Sequence, residues 1–144
     1  MRKAGKVLLL LVTVAAFAAC SGTKELSTNP GALQADWRLA SLDGTEVQMS
    51  QNYTLSFNTD GTVAGKADCN YFTGEYQAQQ EGNLSMSAVN NTKVSCGSNS
   101  HSSNYLSSLR NAQSFEVRNG NQLVLNTGSG ELVFNKVMPE GEGG

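Results

Sequence analysis

Three cysteines, one histidine and a thin scatter of carboxylates are the side chains of this 144-residue chain whose types could do chemistry. The cysteines are Cys20, Cys69 and Cys96, and the histidine is His101. Cys69, Cys96 and His101 would offer a metal three ligands, short of a structural tetrahedral set, with no Cys-x-x-Cys pair to hold it. The same missing spacing argues against a redox-active couple. Nucleophilic catalysis needs a base beside a nucleophile. His101 stands in the polar run Ser98-Asn99-Ser100-His101-Ser102-Ser103, where a solvated surface position is expected, and no Gly-x-Ser-x-Gly elbow occurs. Paired carboxylates hydrolyse glycosidic bonds only where the fold brings them together, and Asp68 and Glu75 are the candidates. No glycine-rich phosphate loop is present. The expectation is no catalytic residue, no metal and no cofactor.

Cys20 has a different chemistry because of what precedes it. Arg2, Lys3 and Lys6 give a positive start, the thirteen residues from Val7 to Ala19 are apolar but for Thr13, and Ala18-Ala19 makes a small-residue exit. That is a secretory signal peptide over residues 1–19, too short for a spanning helix of about 20 residues. A cysteine directly after the exit looks like the lipobox of a bacterial lipoprotein, which would put acyl chains of the palmitate type on Cys20. Phe17 stands three before it, where Leu is usual. Ordinary secretion is the alternative, since Ala16-Phe17-Ala18 also fits a small-x-small cleavage site. Lipidation is favoured because an odd cysteine in an exported protein is otherwise unexplained. Ser21 resembles the outer-membrane sorting residue of lipoproteins in bacteria with two membranes. Taking Cys20 out of the count leaves Cys69 and Cys96, which an oxidising compartment is expected to join.

Loss of Arg2, Lys3 and Lys6 from ten basic residues leaves seven against twelve acidic ones, a net charge of minus five. An acidic chain with scattered lysines is not expected to bind nucleic acid, which needs a basic patch. Nor is it expected to adhere to anionic lipid by charge; membrane attachment would come from the acyl chains. Residues 20–35 are polar, contain Asn29-Pro30-Gly31 and are expected to be the lipidated N-terminus and a flexible tether. Residues 36–138 are expected to form one domain, and 139–144 a disordered acidic tail. A monomer is expected.

The domain alternates with period two. Trp37, Leu39 and Ser41 share a face, then Tyr53, Leu55 and Phe57, then Leu84, Met86 and Ala88, then Phe115 and Val117, Leu123 and Leu125, Leu132 and Phe134. Asp43-Gly44, Asp60-Gly61 and Asn119-Gly120 supply the positive-φ positions of tight hairpins. One helix is expected over residues 98–112, with Tyr105, Leu106, Leu109 and Ala112 as its apolar stripe, Ser98 or Ser100 as N-cap and Arg110 at the negative end of its dipole. The fold class is α+β: a mostly antiparallel curved sheet or open barrel with one helix.

Two stretches carry a resemblance. Gly65-Lys66-Ala67-Asp68-Cys69-Asn70-Tyr71-Phe72-Thr73-Gly74-Glu75-Tyr76 and Thr92-Lys93-Val94-Ser95-Cys96 resemble the paired signatures of META domains, the HslJ-like family of bacterial lipoproteins. Trp37, Leu39, Leu42 and Gly44 fit the family's first strand, and Tyr105, Leu106 and Leu109 its helix. Asp68 stands where the family has glycine, Val94 where it has methionine, and Ser102 where a glutamate is common. The resemblance makes Asn70, Phe72, Gly74, Tyr76 and Thr92 the motif residues. Read alone, Gly65 and Gly74 mark bulges or close backbone approach. Phe72 and Tyr76 can share the core face. Asn70 either satisfies backbone groups at a strand irregularity or lines a pocket.

The resemblance implies a stress-related role of the heat-shock type without a mechanism. The expected function is a non-enzymatic envelope lipoprotein, lipid-anchored at the outer membrane and facing the periplasm, that binds a protein or lipid partner. One form of that expectation has the sheet holding an acyl chain or apolar peptide between its layers. The alternatives are a carboxylate-based envelope hydrolase, or an inhibitor or assembly pilot for another envelope machine.

Overall fold

A computed structural model describes residues 22–141. The leader over residues 1–19, the acylation expected at Cys20 and the last residues of the acidic tail lie outside the described residues. Ten strands form one antiparallel sheet. They are β1 (Leu26–Ser27), β2 (Asp36–Leu42), β3 (Thr45–Glu46), β4 (Thr54–Phe57), β5 (Thr62–Ala67), β6 (Asn70–Ala78), β7 (Leu84–Asn91), β8 (Ser114–Arg118), β9 (Gln122–Asn126) and β10 (Glu131–Lys136). The single α-helix among the described residues, α1 (Ser102–Arg110), lies between β7 and β8 in sequence. The order across the sheet is β1-β8-β9-β10-β2-β4-β5-β6-β7, with β3 beside β2. The sheet stays open, but its ends approach: an isolated bridge joins Asn83 to Ser114, and the Leu84 N–H donates to the Gln113 carbonyl at 2.9 Å. The α+β expectation of a curved antiparallel sheet with one helix describes this architecture.

Period-two alternation marks the main strands, and the three hairpin dipeptides fall in turns, although at Asp60-Gly61 only Gly61 has positive φ. Asp43 and Gly44 both have positive φ, as do Asn119 and Gly120, the pattern whose twist matches a two-residue hairpin. Two strands change phase part-way. Ala40 has no partner on β10, whose register steps from Val133↔Ser41 to Phe134↔Leu39. This bulge puts Leu42, not Ser41, on the core face, because one extra residue reverses the alternation. In β7 a second irregularity at Ala88, whose φ is +50°, leaves Ala88 exposed and turns Val89 toward the core.

The space between sheet and helix is filled. Trp37, Tyr105, Phe134, Leu39, Leu55, Leu109, Leu123, Leu125 and Leu132 are fully buried, and Tyr105 meets Tyr53 and Phe72 edge-on. These large side chains occupy the interior where the layers of the sheet are expected to hold an acyl chain or apolar peptide.

The tether expected over residues 20–35 joins the fold early. β1 pairs with β8, a 3-10 turn spans Pro30–Leu33 with Asn29 as its cap, Leu33 is fully buried, and the Trp37 indole N–H donates to the Leu33 carbonyl at 2.8 Å. Asn29-Pro30-Gly31 is a helix start rather than a linker, since proline suits a first helical turn. The α-helix is shorter than expected at both ends. Its cap position is His101, which makes no side-chain cap bond; Ser100 Oγ takes the Ser102 N–H at 3.2 Å instead. The helix cannot begin at Ser98, because Gly97 at φ +95° turns the chain out of a segment already held against the sheet.

Candidate functional site

The two signature stretches meet where β5 turns into β6. The turn is made by Asp68 and Cys69, with Asp68 at φ +61°. Glycine reaches that region freely, and Asp is among the few other residues that tolerate it. Asp68 thus takes a backbone conformation in which glycine would be unstrained. Cys69 and Cys96 form a disulfide with Cα atoms 5.5 Å apart, the pairing expected for them. Their sulfurs are consequently no thiolate ligands. Among the described residues no group of three or more His, Cys, Asp and Glu is placed to hold a metal.

Asn70, 4% exposed, is the centre of the arrangement. Its Oδ1 accepts the Val94 N–H at 2.7 Å and the Thr92 Oγ1–H at 2.9 Å. Its Nδ2 donates to the Val94 carbonyl at 3.0 Å and lies 3.2 Å from Cys96 Sγ and 3.5 Å from Ser102 Oγ. The amide thus pairs with both backbone groups of Val94 as a neighbouring strand would. Thr92 completes the join: its Oγ1 accepts the Tyr71 N–H, and its own N–H donates to the Tyr71 carbonyl, both at 3.0 Å. The network is built of amide, hydroxyl and backbone groups, and it holds the 92–96 segment against the sheet. Asn70 therefore satisfies backbone, the first of its two expected roles.

The other motif residues shape the sheet beneath. Phe72 is buried, and Tyr76 is half-buried edge-on to Phe57 with its hydroxyl on the Asn58 carbonyl at 2.9 Å. A Cβ on Gly74 would press on Val63 and Val89 at 3.1–3.2 Å, and one on Gly65 would sit 2.1 Å from the Thr54 carbonyl oxygen. Tyr105 donates to that same carbonyl at 2.9 Å, and burial pushes its phenol well above the ordinary tyrosine pKa.

Three depressions run side by side along this rim. One of about 300 Å³ is lined by Met49, Tyr53, Asp68, Cys96 and His101. A second, of about 250 Å³, shares His101 and adds Asp43, Glu46, Val47 and Asn104. A shallow third shares Asp43 and adds Asn126, Ser129 and Glu131. His101 is not the free surface residue expected: it is half-buried, its backbone N–H donates to the Tyr53 hydroxyl at 3.0 Å, and its ring lies 6.3 Å from Tyr53. The Tyr53–His101 contact left no sequence signal, because the two residues lie on elements far apart in the chain. Met49, Tyr71 and Val94 are exposed; Met49 lines the depression that includes Cys96, and Tyr71 follows Cys69 by two residues with the Lys66 ammonium over its ring. Asp68 and Glu75 are not brought together: Asp68 is in the turn, and Glu75 is opposite Thr62 toward the far end of β6. Five strand residues beyond Asn70 lie about 17 Å away, beyond the separation of a hydrolytic pair.

Comparison with known proteins agrees with this geometry. Residues 31–138 match the META domain family. A protein solved by NMR is similar at 26% identity with a TM-score of 0.62, covering 75% of this chain and 94% of that one. A second NMR structure, of a protein from Burkholderia xenovorans, shares the fold at 21% identity and a TM-score of 0.58, covering 96% of this chain and 99% of that one. A crystal structure of a DUF4847 family protein from Bacteroides vulgatus shares the fold at 15% identity and a TM-score of 0.50, covering 72% and 93%. No curated protein matches.

Proposed function

This chain belongs to the META domain family, and from that premise we propose that it is a non-enzymatic module of the bacterial cell envelope. In this reading Cys20 carries acyl chains, the domain is held at the outer membrane facing the periplasm, and it supports stress tolerance by binding a protein partner. The observation that carries the reading is the engagement of the signature itself. Cys69, Asn70, Thr92 and Cys96 all act to pin residues 92–96 to the sheet. What that pinning presents is a rim with exposed Met49, Tyr71 and Val94 beside three depressions. Aromatic and methionine side chains on a rigid scaffold are the usual anchors of a protein interface.

The test is made in cells. A photo-reactive benzophenone residue at position 94 should give a discrete protein adduct that the same residue at position 59, in the β4–β5 turn, does not. Tyr71→Glu in the unlabelled chain should weaken the heat tolerance that the native chain restores to a deletion strain. An adduct pattern that is the same from both positions, together with full restoration by Tyr71→Glu, would remove the reading. A rise in activity on an envelope polymer, abolished by Asp68→Asn, would replace it with the hydrolase.

A further inference from the structure

The strand directions fix which end of the domain carries which loops, because turns in an antiparallel sheet alternate between two rims. One rim holds the 119–121 turn between β8 and β9, the end of β10 at Lys136, the start of β2 at Asp36 and the 58–61 turn between β4 and β5. The opposite rim holds the 43–44 and 127–130 turns, Asp68, the disulfide and the start of α1, with all three depressions. The N-terminal segment arrives at the first rim. The Glu25 N–H donates to Asn119 Oδ1 at 3.1 Å, the Asn119 N–H donates to the Glu25 carbonyl at 2.7 Å, and Leu26 faces Arg118 across the ladder.

Five Cα-to-Cα steps separate Cys20 from Glu25. They reach about 17 Å at full stretch and about 12 Å on average. The seven residues of β2 alone rise about 23 Å along the strand, with the 43–44 turn beyond them. A chain anchored at Cys20 is too short to let the domain turn over and set its far rim on the bilayer. We propose that the rim formed by Glu25, Leu26, the 119–121 turn and Met138 is the membrane-facing surface of this protein, apposed to a phospholipid headgroup layer. The disulfide rim then points away from the bilayer, where a partner can reach it. This inference rests on acylation of Cys20. Leu26 and Met138, 58% and 63% exposed, stand on the membrane-facing rim, and large apolar side chains of this kind settle at the headgroup boundary. Charge there is mixed: Lys24 and Lys136 stand with Glu25, Asp36 and Asp60, and Arg118 is paired with Glu116. The short anchor, and not attraction to anionic lipid, sets the orientation.

The mature chain, isotope-labelled and starting at Cys20, is placed on phosphatidylcholine nanodiscs containing a small fraction of gadolinium-chelating lipid. Amide signals of Leu26, Asn121 and Met138 should broaden several-fold more than those of Gly44, Asp68 and Gly128. Equal broadening at the two rims, or stronger broadening at Gly44 and Asp68, would overturn the orientation. The intact mass of chain purified from bacterial membranes reports separately whether Cys20 is acylated. Should it be bare, the same chain is coupled through the Cys20 thiol to a maleimide lipid in the nanodisc, Cys69 and Cys96 being bonded to each other. A bare Cys20 overturns the natural anchor, while the rim comparison still decides the orientation imposed by the short segment.

Discussion

Asn70 shows how one neutral side chain can replace a strand. It pairs with both backbone groups of Val94 and accepts from Thr92, so Asn70→Ala leaves several groups without partners at once. Val94 is exposed and its freed groups rehydrate, which limits the loss to the net value of the bonds and the lost packing, about 2 kcal/mol. A urea titration of Asn70→Ala against the native chain measures this, and an unchanged midpoint would remove the clamp. Tyr105 makes a prediction with a definite sign. Its folded pKa is raised by burial above the unfolded value near 10, so the folded state keeps its proton where the unfolded state has lost it. The stability it contributes is complete below pH ~10 and falls as pH rises beyond that, by up to about 1.4 kcal/mol per pH unit. Tyr105→Phe should flatten this alkaline slope while losing the bond to Thr54, as thermal melts between pH 8 and 11 would show. At this scale the sequence was informative about residue type and silent about partners. Asn70 was marked by its place before Tyr71-Phe72, whereas Tyr53 beneath His101 left no mark, because their contact spans elements far apart in the chain.

Elements were legible where local rules decide them and illegible where packing does. The Asp-Gly and Asn-Gly turns and the alternating strands follow from backbone sterics and burial, both local. The bulges at Ala40 and Ala88 do not, since only the neighbouring strand's register shows that a residue is extra. The helix start moved for the same reason: Ser98 is a good cap residue, but residues 94–96 are already pinned to the sheet. Gly65 was readable as a close approach and is one. Its missing Cβ lets β5 press on the Thr54 carbonyl, with Phe72 also within 2.8 Å of where a Cβ would stand. Backbone cannot yield as a flexible side chain does, so Gly65→Ala should cost at least about 2 kcal/mol through strand displacement. The matched change Gly120→Ala, at a turn with open space around it, is disfavoured only by its φ of +68° and should cost about 1 kcal/mol. Chemical denaturation of the two variants side by side checks the ranking, and equal losses would show that β5 can shift.

The whole molecule depends on a segment that composition alone reads as a linker. Polar residues and Asn29-Pro30-Gly31 describe residues 20–35 as a tether, because composition does not reveal that one leucine finds a core. Leu33 is fully buried, its carbonyl is the partner of the Trp37 indole, and β1 occupies the part of the β8 edge that the β7 bridge leaves free. The ends of the sheet are thus joined partly by this segment, and no local pattern in the sequence encodes a junction between its first and last thirds. Removing it exposes an unpaired strand edge, a route to aggregation, and deletes a core leucine, a loss of about 2–5 kcal/mol when only the side chain is cut back. A chain beginning at Lys24 should therefore melt like the full mature protein. A chain beginning at Asp36 should melt far lower or fail to fold as a monomer. Calorimetry with light scattering on the two truncations measures both effects. If the chain from Asp36 keeps the native melting temperature and stays monomeric, residues 24–35 are a linker after all, the sheet holds itself together without them, and the anchor gains the reach to let either rim meet the bilayer.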